Sequence, residues 1–507
     1  MIARRHLLWA GILAVPLATT TTECGGSGST DDGGGPDSTT NDSSVPDTGG
    51  GDVSQPQDGG SSDGDAAPCI VSDAGGTLDQ TFNTGSKSLG SFAANGATID
   101  SSGRIYVVGI QASGCPDANA AAVYRFDVTG AIDSTYGAAD GGGGGHACIH
   151  YDAVDAAYVA GVDSNGKLVV GGLSYDGQSD HFIHATVTRL NSDGTLDTSF
   201  HTTGQLDLDP KSNATHIGIG AVQGIAFLGS NFADKIVVTG SPEAVQVGVG
   251  TPNTGFVVRL TSDGQFDTAF ATNGVFKDTG VDGFYGVRAD ASGTVTTVGS
   301  SLFSAADGGI PKAIVVRQLD VSGAPVTSFG TGGVYTMPLG GNFGDDGRDL
   351  AFFGSRIYAA ASVDFLNGLS GQFGRVGVVA LTSAGALDTT WAGEAGAPGT
   401  FLSNPDFAMN EYYQITSLAT QCDGKLLTGA TFLDLDGGDA SSMQDIGVRR
   451  LTADGQLDPT FGNGGHARLA QVGNEVAVAV VQDPTTSKIV VVGRDQGGNT
   501  VLARFLP

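Results

Sequence analysis

The residues that could do chemistry in this sequence are histidines, one cysteine and scattered carboxylates. His146-Ala-Cys148-Ile-His150 and Asp180-His181-Phe-Ile-His184 bring imidazole and thiol groups close in sequence, and Zn²⁺ takes such ligands in threes and fours. The spacing of His146, His150, His181 and His184 matches no established zinc signature, and Cys148 has a competing use in a disulfide. Solvated loop histidines are the plainer reading, and no metal is expected. Asp434-Leu-Asp436-Gly-Gly-Asp439 is a fragment of a calcium loop without the distant glutamate or the usual ligand order. A solvated acidic loop accounts for it as well, so calcium is a lesser reading and no cofactor is expected. No G-x-S-x-G elbow and no H-E-x-x-H stretch occurs. A quinone-cofactor dehydrogenase would need more tryptophan than Trp9 and Trp391.

Composition narrows the elements that could hold such residues. The chain has 507 residues, 24 of them Lys or Arg and 53 Asp or Glu, for a net charge of −29. Nucleic-acid binding needs basic patches, and this balance excludes it. Glycine supplies 82 residues, without the three-residue period of collagen and at a density that few helices tolerate. Short Val, Thr and Ile runs between glycines predict many strands and tight turns.

The N-terminus reads as an address. Arg4 and Arg5 precede a short apolar run, Leu7 to Ala18, which is the pattern of a secretory signal and is too short to span a bilayer. Cys24 before Gly25 and Gly26 resembles the lipidated cysteine of a bacterial lipoprotein. Glu23 departs from that pattern, which leaves plain secretion as the alternative. Residues 25–68 carry nine Asp and no Lys or Arg and cannot bury enough apolar surface to offset chain entropy, so an acidic disordered tether is expected. The folded part is then residues 69–507, in the cell envelope or outside the cell.

Three motifs recur seven times in fixed order. The first is G-x-L-D-x-T-F: Gly76–Phe82, Gly130–Tyr136, Gly194–Phe200, Gly264–Phe270, Gly323–Phe329, Gly385–Trp391 and Gly455–Phe461. The second is a turn followed by an apolar run, as in Asp423-Gly-Lys-Leu-Leu-Thr-Gly429, and the third a V-x-R-L run, as in Val257–Leu260. From Asp79 to Asp458 the mean period is about 63 residues. Each unit holds four strand-like stretches and no helical period. An all-β, seven-bladed β-propeller of four-stranded antiparallel blades is the reading, with eight blades or a solenoid as lesser options. The paired signatures resemble those of the bacterial delta-60 repeat family across residues 76–507. That resemblance implies secreted or envelope-associated propellers and no shared catalytic residues. The fifth copy departs most, with Val326 where Asp is expected.

In four units an Arg precedes an Asp by eight positions: Arg125/Asp133, Arg189/Asp197, Arg259/Asp267 and Arg450/Asp458. A three-residue loop such as Ser262-Asp263-Gly264 places them opposite each other, glycine suiting the left-handed position of a G1 bulge. Such recurrence argues for a structural ion pair rather than for catalysis. Two units break it: Ala380 precedes Asp388, and Arg317 precedes Val326 by nine. The aromatic residue ending each first motif is expected to anchor neighbouring blades.

With blade strands a to d counted from the axis outward, the a–b and c–d turns are short and alike, while the b–c and d–a connections are long and different. One propeller face is therefore uniform and the other variable, and variable loops on a rigid scaffold carry function. The seven histidines after the signal, His146, His150, His181, His184, His201, His216 and His466, are all assigned to variable-face segments. The mouth of the central channel would be lined by Asp155, His216, Tyr285, Arg348, Gln414 and Glu475, a mixture able to do acid–base work. The expected function is binding through the variable face, to a protein or glycan at the cell surface, with the chain monomeric and touching membrane only through its anchor. The alternative is a hydrolase or lactonase-like enzyme with its site at the channel mouth.

Ring closure follows from two orphans, Arg504 without a downstream Asp and Asp79 without an upstream Arg. Residues 77–82 should pair antiparallel with 500–506 as the outer strand of the last blade, bringing Arg504 beside Asp79. With Cys24 lipidated, four cysteines remain for two disulfides, expected as Cys115–Cys148 on the variable face and Cys69–Cys422 on the uniform one.

Overall fold

The structure, a computed structural model, describes residues 75–507 except 90, 112–113, 117–118, 138–143, 177–182, 209–219, 242–253, 302–311, 341–343, 368–370, 392, 394–396, 404–406, 409–416, 434–443 and 470–474. It is a seven-bladed propeller. The inner strands are Phe92–Ile99, Val154–Val162, Ala221–Phe227, Val281–Ala289, Gly344–Phe353, Leu418–Thr420 and Glu475–Gln482. Each begins an antiparallel sheet that runs outward in chain order, as in Ala221–Phe227, Ile236–Ser241, Gly255–Leu260 and Val275–Asp278. In blade 5 a fifth short strand, Phe407–Ala408, also pairs with the third. The three inner strands of each blade are buried almost along their whole length, because both faces of a blade pack on neighbours, while the outer strands are only partly buried.

The last blade takes its outer strand from the other end of the chain. Gly85–Lys87 pairs antiparallel with Thr500–Leu502, and Leu78 bridges Phe505. Residues 77–82 therefore lie against the final strand, but the regular outer strand starts later than the sequence reading placed it. The same offset occurs elsewhere: Leu260 bridges Phe266, and pairing resumes at Val275. The cause is the aspartate. Asp79 Oδ1 accepts the Thr81 N–H at 2.9 Å and the Thr81 hydroxyl at 2.6 Å, an Asx-turn that bends the chain off the ladder before it returns.

The aromatic residue after that turn joins the blades. Phe82, Tyr136, Phe200, Phe270, Phe329, Trp391 and Phe461 lie against Gly130, Gly194, Gly264, Gly323, Gly385, Gly455 and Gly76 of the next blade's c–d turn. A Cβ on Gly264 would fall 2.7 Å from the Phe200 ring, and its φ of +82° already requires glycine. At six joints the residue following the aromatic donates its N–H into the same turn, as His201 does to Asp263 O at 2.7 Å and Gly462 to Gly75 O at 2.8 Å, and at the joint of Trp391 the donor is Gly393, to Asp454 O at 3.4 Å. One stacking contact and one backbone hydrogen bond thus recur at all seven joints.

The repeated ion pair completes each joint. Arg189 Nε donates to Asp197 Oδ2 at 2.7 Å and Arg259 to Asp267 at 2.7 Å, with Arg450 and Asp458 at 2.8 Å. The same guanidinium lies 4.5 Å from the Phe270 centroid in Arg259 and donates through Nη1 to Val321 O of the next blade at 2.7 Å. A second cation reaches several of these carboxylates from the start of strand b: Lys167 Nζ is 2.7 Å from Asp197 and Lys235 Nζ 2.8 Å from Asp267. Where Ala380 leaves Asp388 without its arginine, Arg356 takes over at 2.6 Å from that strand b position. Blade 4 lacks the whole set. Gln318, not Arg317, occupies the arginine position, since Val326 N donates to Gln318 O as Asp267 N does to Arg259 O. Arg317 points instead to Asp278 of blade 3. Gln318, Val326 and Thr294 replace the two cations and the acid together, which leaves no buried charge uncompensated.

Candidate functional site: the channel end of the inner strands

Six inner strands carry a β-bulge at the same place, marked by register breaks between Ala94 and Gly96, Ala157 and Val159, Val222 and Gly224, Phe284 and Gly286, Gly347 and Asp349, and Ala477 and Ala479. The inserted residues are Asn95, Tyr158, Gln223, Tyr285, Arg348 and Val478, all buried. Bulges re-aim side chains, and here they interlock the inner strands: Asn95 Nδ2 donates to Ala157 O of the next blade at 3.0 Å.

Two of the expected channel residues meet. The Arg348 guanidinium lies 4.8 Å from the Tyr285 centroid and donates to Asp346 Oδ2 at 3.1 Å. Asp346 also accepts from Ser300 at 3.0 Å and from Lys312 at 3.3 Å, and Lys312 reaches Asp282 as well. Burial, with Asp282 and Asp346 nearby, pushes the Tyr285 hydroxyl up to about 12. Burial works against the Lys312 charge, but Asp346, Tyr285 and Asp282 outweigh it and hold its pKa above the ordinary lysine range. Two acids and two bases thus neutralise one another across blades 4 and 5.

The other channel residues stand apart from this network. Asp155, fully buried, accepts the Tyr151 N–H at 2.9 Å and lies 3.0 Å from His150 Nδ1. Burial raises its pKa against the opposing pull of Ser174, the Tyr151 N–H and His150. The adjoining cavity, lined by Tyr151, Asp155, Thr186 and Thr188, holds about 10 Å³, room for one water. Glu475 sits in blade 7 opposite Asp495 on the adjacent strand. Burial first, then Asp445 and Asp495, push its carboxyl up to about 7, and its Oε2 has no hydrogen-bond partner among the described residues. His216 and Gln414 lie outside the described residues.

The histidines do not form one ligand set. His146 is buried and stacked on Tyr124 at 4.7 Å. His150 faces Asp155, and His184 lies between Asp152 and Asp207; His181 lies outside the described residues. Three histidines also depart from the variable-face assignment. His146 and His466 open outer strands, and His201 donates to a c–d turn of the uniform face, because the aromatic corner delays each outer strand. Burial, Arg449 and Arg468 lower the His466 pKa to about 4.

Cys115 and Cys148 form a disulfide with Cα atoms 5.8 Å apart, as expected. His146 lies close to both sulfurs, but the bond between them consumes the thiolates a metal would need. Cys422 is also disulfide-bonded, while Cys24, Cys69 and the acidic loop Asp434, Asp436, Asp439 lie outside the described residues. Sequence reasoning missed the Lys312–Asp282–Asp346 network and the carboxylates around His184, since neither recurs between units. The strand b lysines were legible: Lys167, Lys235, Lys425 and Lys488 each follow a turn in units that keep the Asp.

The aromatic-on-glycine joint that recurs seven times defines the class, a seven-bladed β-propeller built from repeats. Residues 164–200, 234–270 and 421–461 match a family described as "Domain of unknown function (DUF5122) beta-propeller", and each matched segment runs from the strand b turn to the aromatic corner. None of the curated proteins matches the chain. Among solved structures, a protein of unknown function from Dyadobacter fermentans is similar at 11% identity, covering 68% of this chain and 92% of that one, with a TM-score of 0.35. The GH93 alpha-L-arabinofuranosidase of Fusarium graminearum matches at 10% identity over 68% and 91% of the chains, TM-score 0.40. The sialidase of Trypanosoma rangeli matches at 9% over 68% and 54%, TM-score 0.35. These likenesses are too distant to carry chemistry across.

Proposed function

We propose that this protein is a secreted or envelope-tethered propeller that binds a protein or glycan of the cell surface through its variable face. One observation supports the reading above others: the described ends of the chain both leave from the uniform face. Gly75 occupies the c–d turn position of the last blade, accepting from Gly462 N, while Gly76 donates to Leu506 O beside the terminal Pro507. A tether over residues 25–68 would therefore hold the uniform face toward its anchor and turn the variable loops outward. The delta-60 repeat resemblance and a lipid on Cys24 belong to the same reading.

The enzyme reading rests on Glu475, whose carboxyl near pH 7 suits a general acid. Its charged neighbours are Asp445 and Asp495, however, while Asp155 and Arg348 are each engaged elsewhere. The test is a thermal-shift screen of the secreted chain against envelope glycans, Ca²⁺ and Zn²⁺, with cross-linking to intact cells for protein partners. Substitutions at Tyr151 and Asp152 should weaken binding, and exposed uniform-face changes at Val128 or Val321 should not. Hydrolysis of glycosides or lactones that disappears in Glu475→Gln would overturn the binding reading.

A further inference from the structure

The connection between the outer strand of blade 1 (His146–Ile149) and the inner strand of blade 2 (Val154–Val162) crosses the variable face through His150, Tyr151, Asp152 and Ala153. It is pinned to blade 2. The Tyr151 hydroxyl donates to Val187 O at 2.9 Å, and the Asp155 carboxylate accepts the N–H groups of Tyr151 at 2.9 Å and Asp152 at 3.4 Å. The remaining pin is His184, on the third strand of blade 2 (Ile183–Leu190). Its Nε2 lies 3.1 Å from Asp152 Oδ2 on the connection. Its Nδ1 lies 2.9 Å from Asp207 Oδ2, off the line of a straight hydrogen bond, on the outer strand of blade 2 (Gln205–Asp207).

A neutral imidazole carries one N–H, so it serves one carboxylate and turns a lone pair toward the other; only imidazolium donates to both. We propose that His184 is a proton-operated latch: protonated, it ties the His150–Ala153 connection to the outer strand of blade 2, and on losing its proton it releases Asp152. Asp152 is the partner that leaves, because its side chain is 45% exposed against 24% for Asp207. Asp207 is also held in the ladder opposite Thr186, and Asp152 has no ladder to hold it.

The charge balance supports the direction. Among the described residues, the titratable groups nearest His184 on the elements packed around it are His150, Tyr151, Asp152 and Asp155 on the connection and the start of the inner strand, Tyr175 at the end of the second strand with Asp176 just after it, and Asp207 on the outer one. The cations nearest along these strands, Lys167 and Arg189, are bound to Asp197 at the opposite end. Burial opposes the imidazolium, but Asp207 and Asp152 outweigh it and raise the His184 pKa above the ordinary 6.5. The latch therefore contributes fully below pH 6.5 and is lost as pH rises through the higher folded value. It operates whatever the variable face binds.

Hydrogen exchange on the intact, disulfide-bonded chain reads the latch directly, since the Tyr151 and Asp152 amides report on the connection. After correction for intrinsic rates, their protection should fall about tenfold between about pH 5.5 and pH 8.5. Amides of Ile183–Leu190 should hold, and the His184 ring nitrogens should titrate above 6.5 by NMR. In His184→Gln the pH difference should vanish at the low-protection level. If that variant does not fold, Asp152→Asn keeps His184 and Asp207, and should abolish the pH difference while lowering the His184 pKa. Wild-type protection independent of pH, a His184 pKa at or below 6.5, or a pH difference surviving in Asp152→Asn would each overturn the latch.

Discussion

Arg504 and Asp79, at opposite ends of the propeller sequence, form one buried ion pair, with Nε 2.9 Å from Oδ2. Lys488 adds a second contact to the same oxygen at 2.8 Å, and the Arg504 guanidinium lies 4.5 Å from the Phe82 centroid. This reproduces the arginine–aspartate joint found within blades 1, 2, 3 and 6, assembled here from both ends of the propeller sequence. It closes the ring with side-chain charge as well as with the short strand Gly85–Lys87.

Removing Asp79 strands two cations in a buried joint, and breaking a pair of this kind costs about 3 kcal/mol. Asp79→Ala should lower the urea midpoint accordingly. Burial raises the Asp79 pKa, but Lys488, Thr81 and Arg504 outweigh it and hold the carboxyl far below the ordinary value of 3.8. Its contribution is therefore present above that value and lost as pH falls toward the folded one. The wild type should lose stability below about pH 4 more steeply than Asp79→Ala does.

Blade 4 offers the reciprocal test. Val326→Asp alone would place a half-buried carboxylate without its arginine and should cost about 1–2 kcal/mol. Gln318→Arg with Val326→Asp should recover at least half of that, giving a favourable coupling energy in a double-mutant cycle. Full additivity would show that the pair contributes nothing at the joint.

Two turn glycines separate backbone strain from packing. Gly166 has φ +72° with nothing within 4 Å of a built Cβ, whereas Gly264 has φ +82° with the Phe200 ring 2.7 Å away. Gly166→Ala should cost about 1 kcal/mol from conformation alone. Gly264→Ala should cost about 2–3 kcal/mol, because it also pushes on the anchor between blades 2 and 3. Chemical denaturation of both variants compares them.

Glu475 should make the fold less stable as pH rises. Its folded pKa, about 7, exceeds the ordinary 4.5, so its full contribution holds below 4.5 and disappears as pH passes 7. Glu475→Gln should remove that slope and stabilise the protein at pH 8 by roughly 1–3 kcal/mol. An unchanged pH profile would place the Glu475 carboxyl in ordinary solvent.

The repeats made the architecture legible because each joint is built from residues recurring in fixed order. The aspartate paired with an arginine, the aromatic anchor and the turn glycine were visible in the sequence, as were the orphans Arg504 and Asp79 and the bond between Cys115 and Cys148; that the aspartate bends the chain and the glycine receives the aromatic ring was not. The offset of the outer strand was not visible, since whether pairing resumes at Gly85 depends on how far the Asx-turn carries the chain off the ladder. Nor could spacing show that Gln318 rather than Arg317 faces Val326, because one residue of register turns a side chain to the other face of a strand. The channel residues were chosen by their place at the strand starts, and only tertiary packing could sort them. It joined Tyr285 to Arg348, buried Asp155 against His150, left Glu475 among acids, and set His184 between two carboxylates from separate segments. Repetition is local and is written in sequence order. These contacts each occur once, between segments whose approach is decided only when the blades close around the axis.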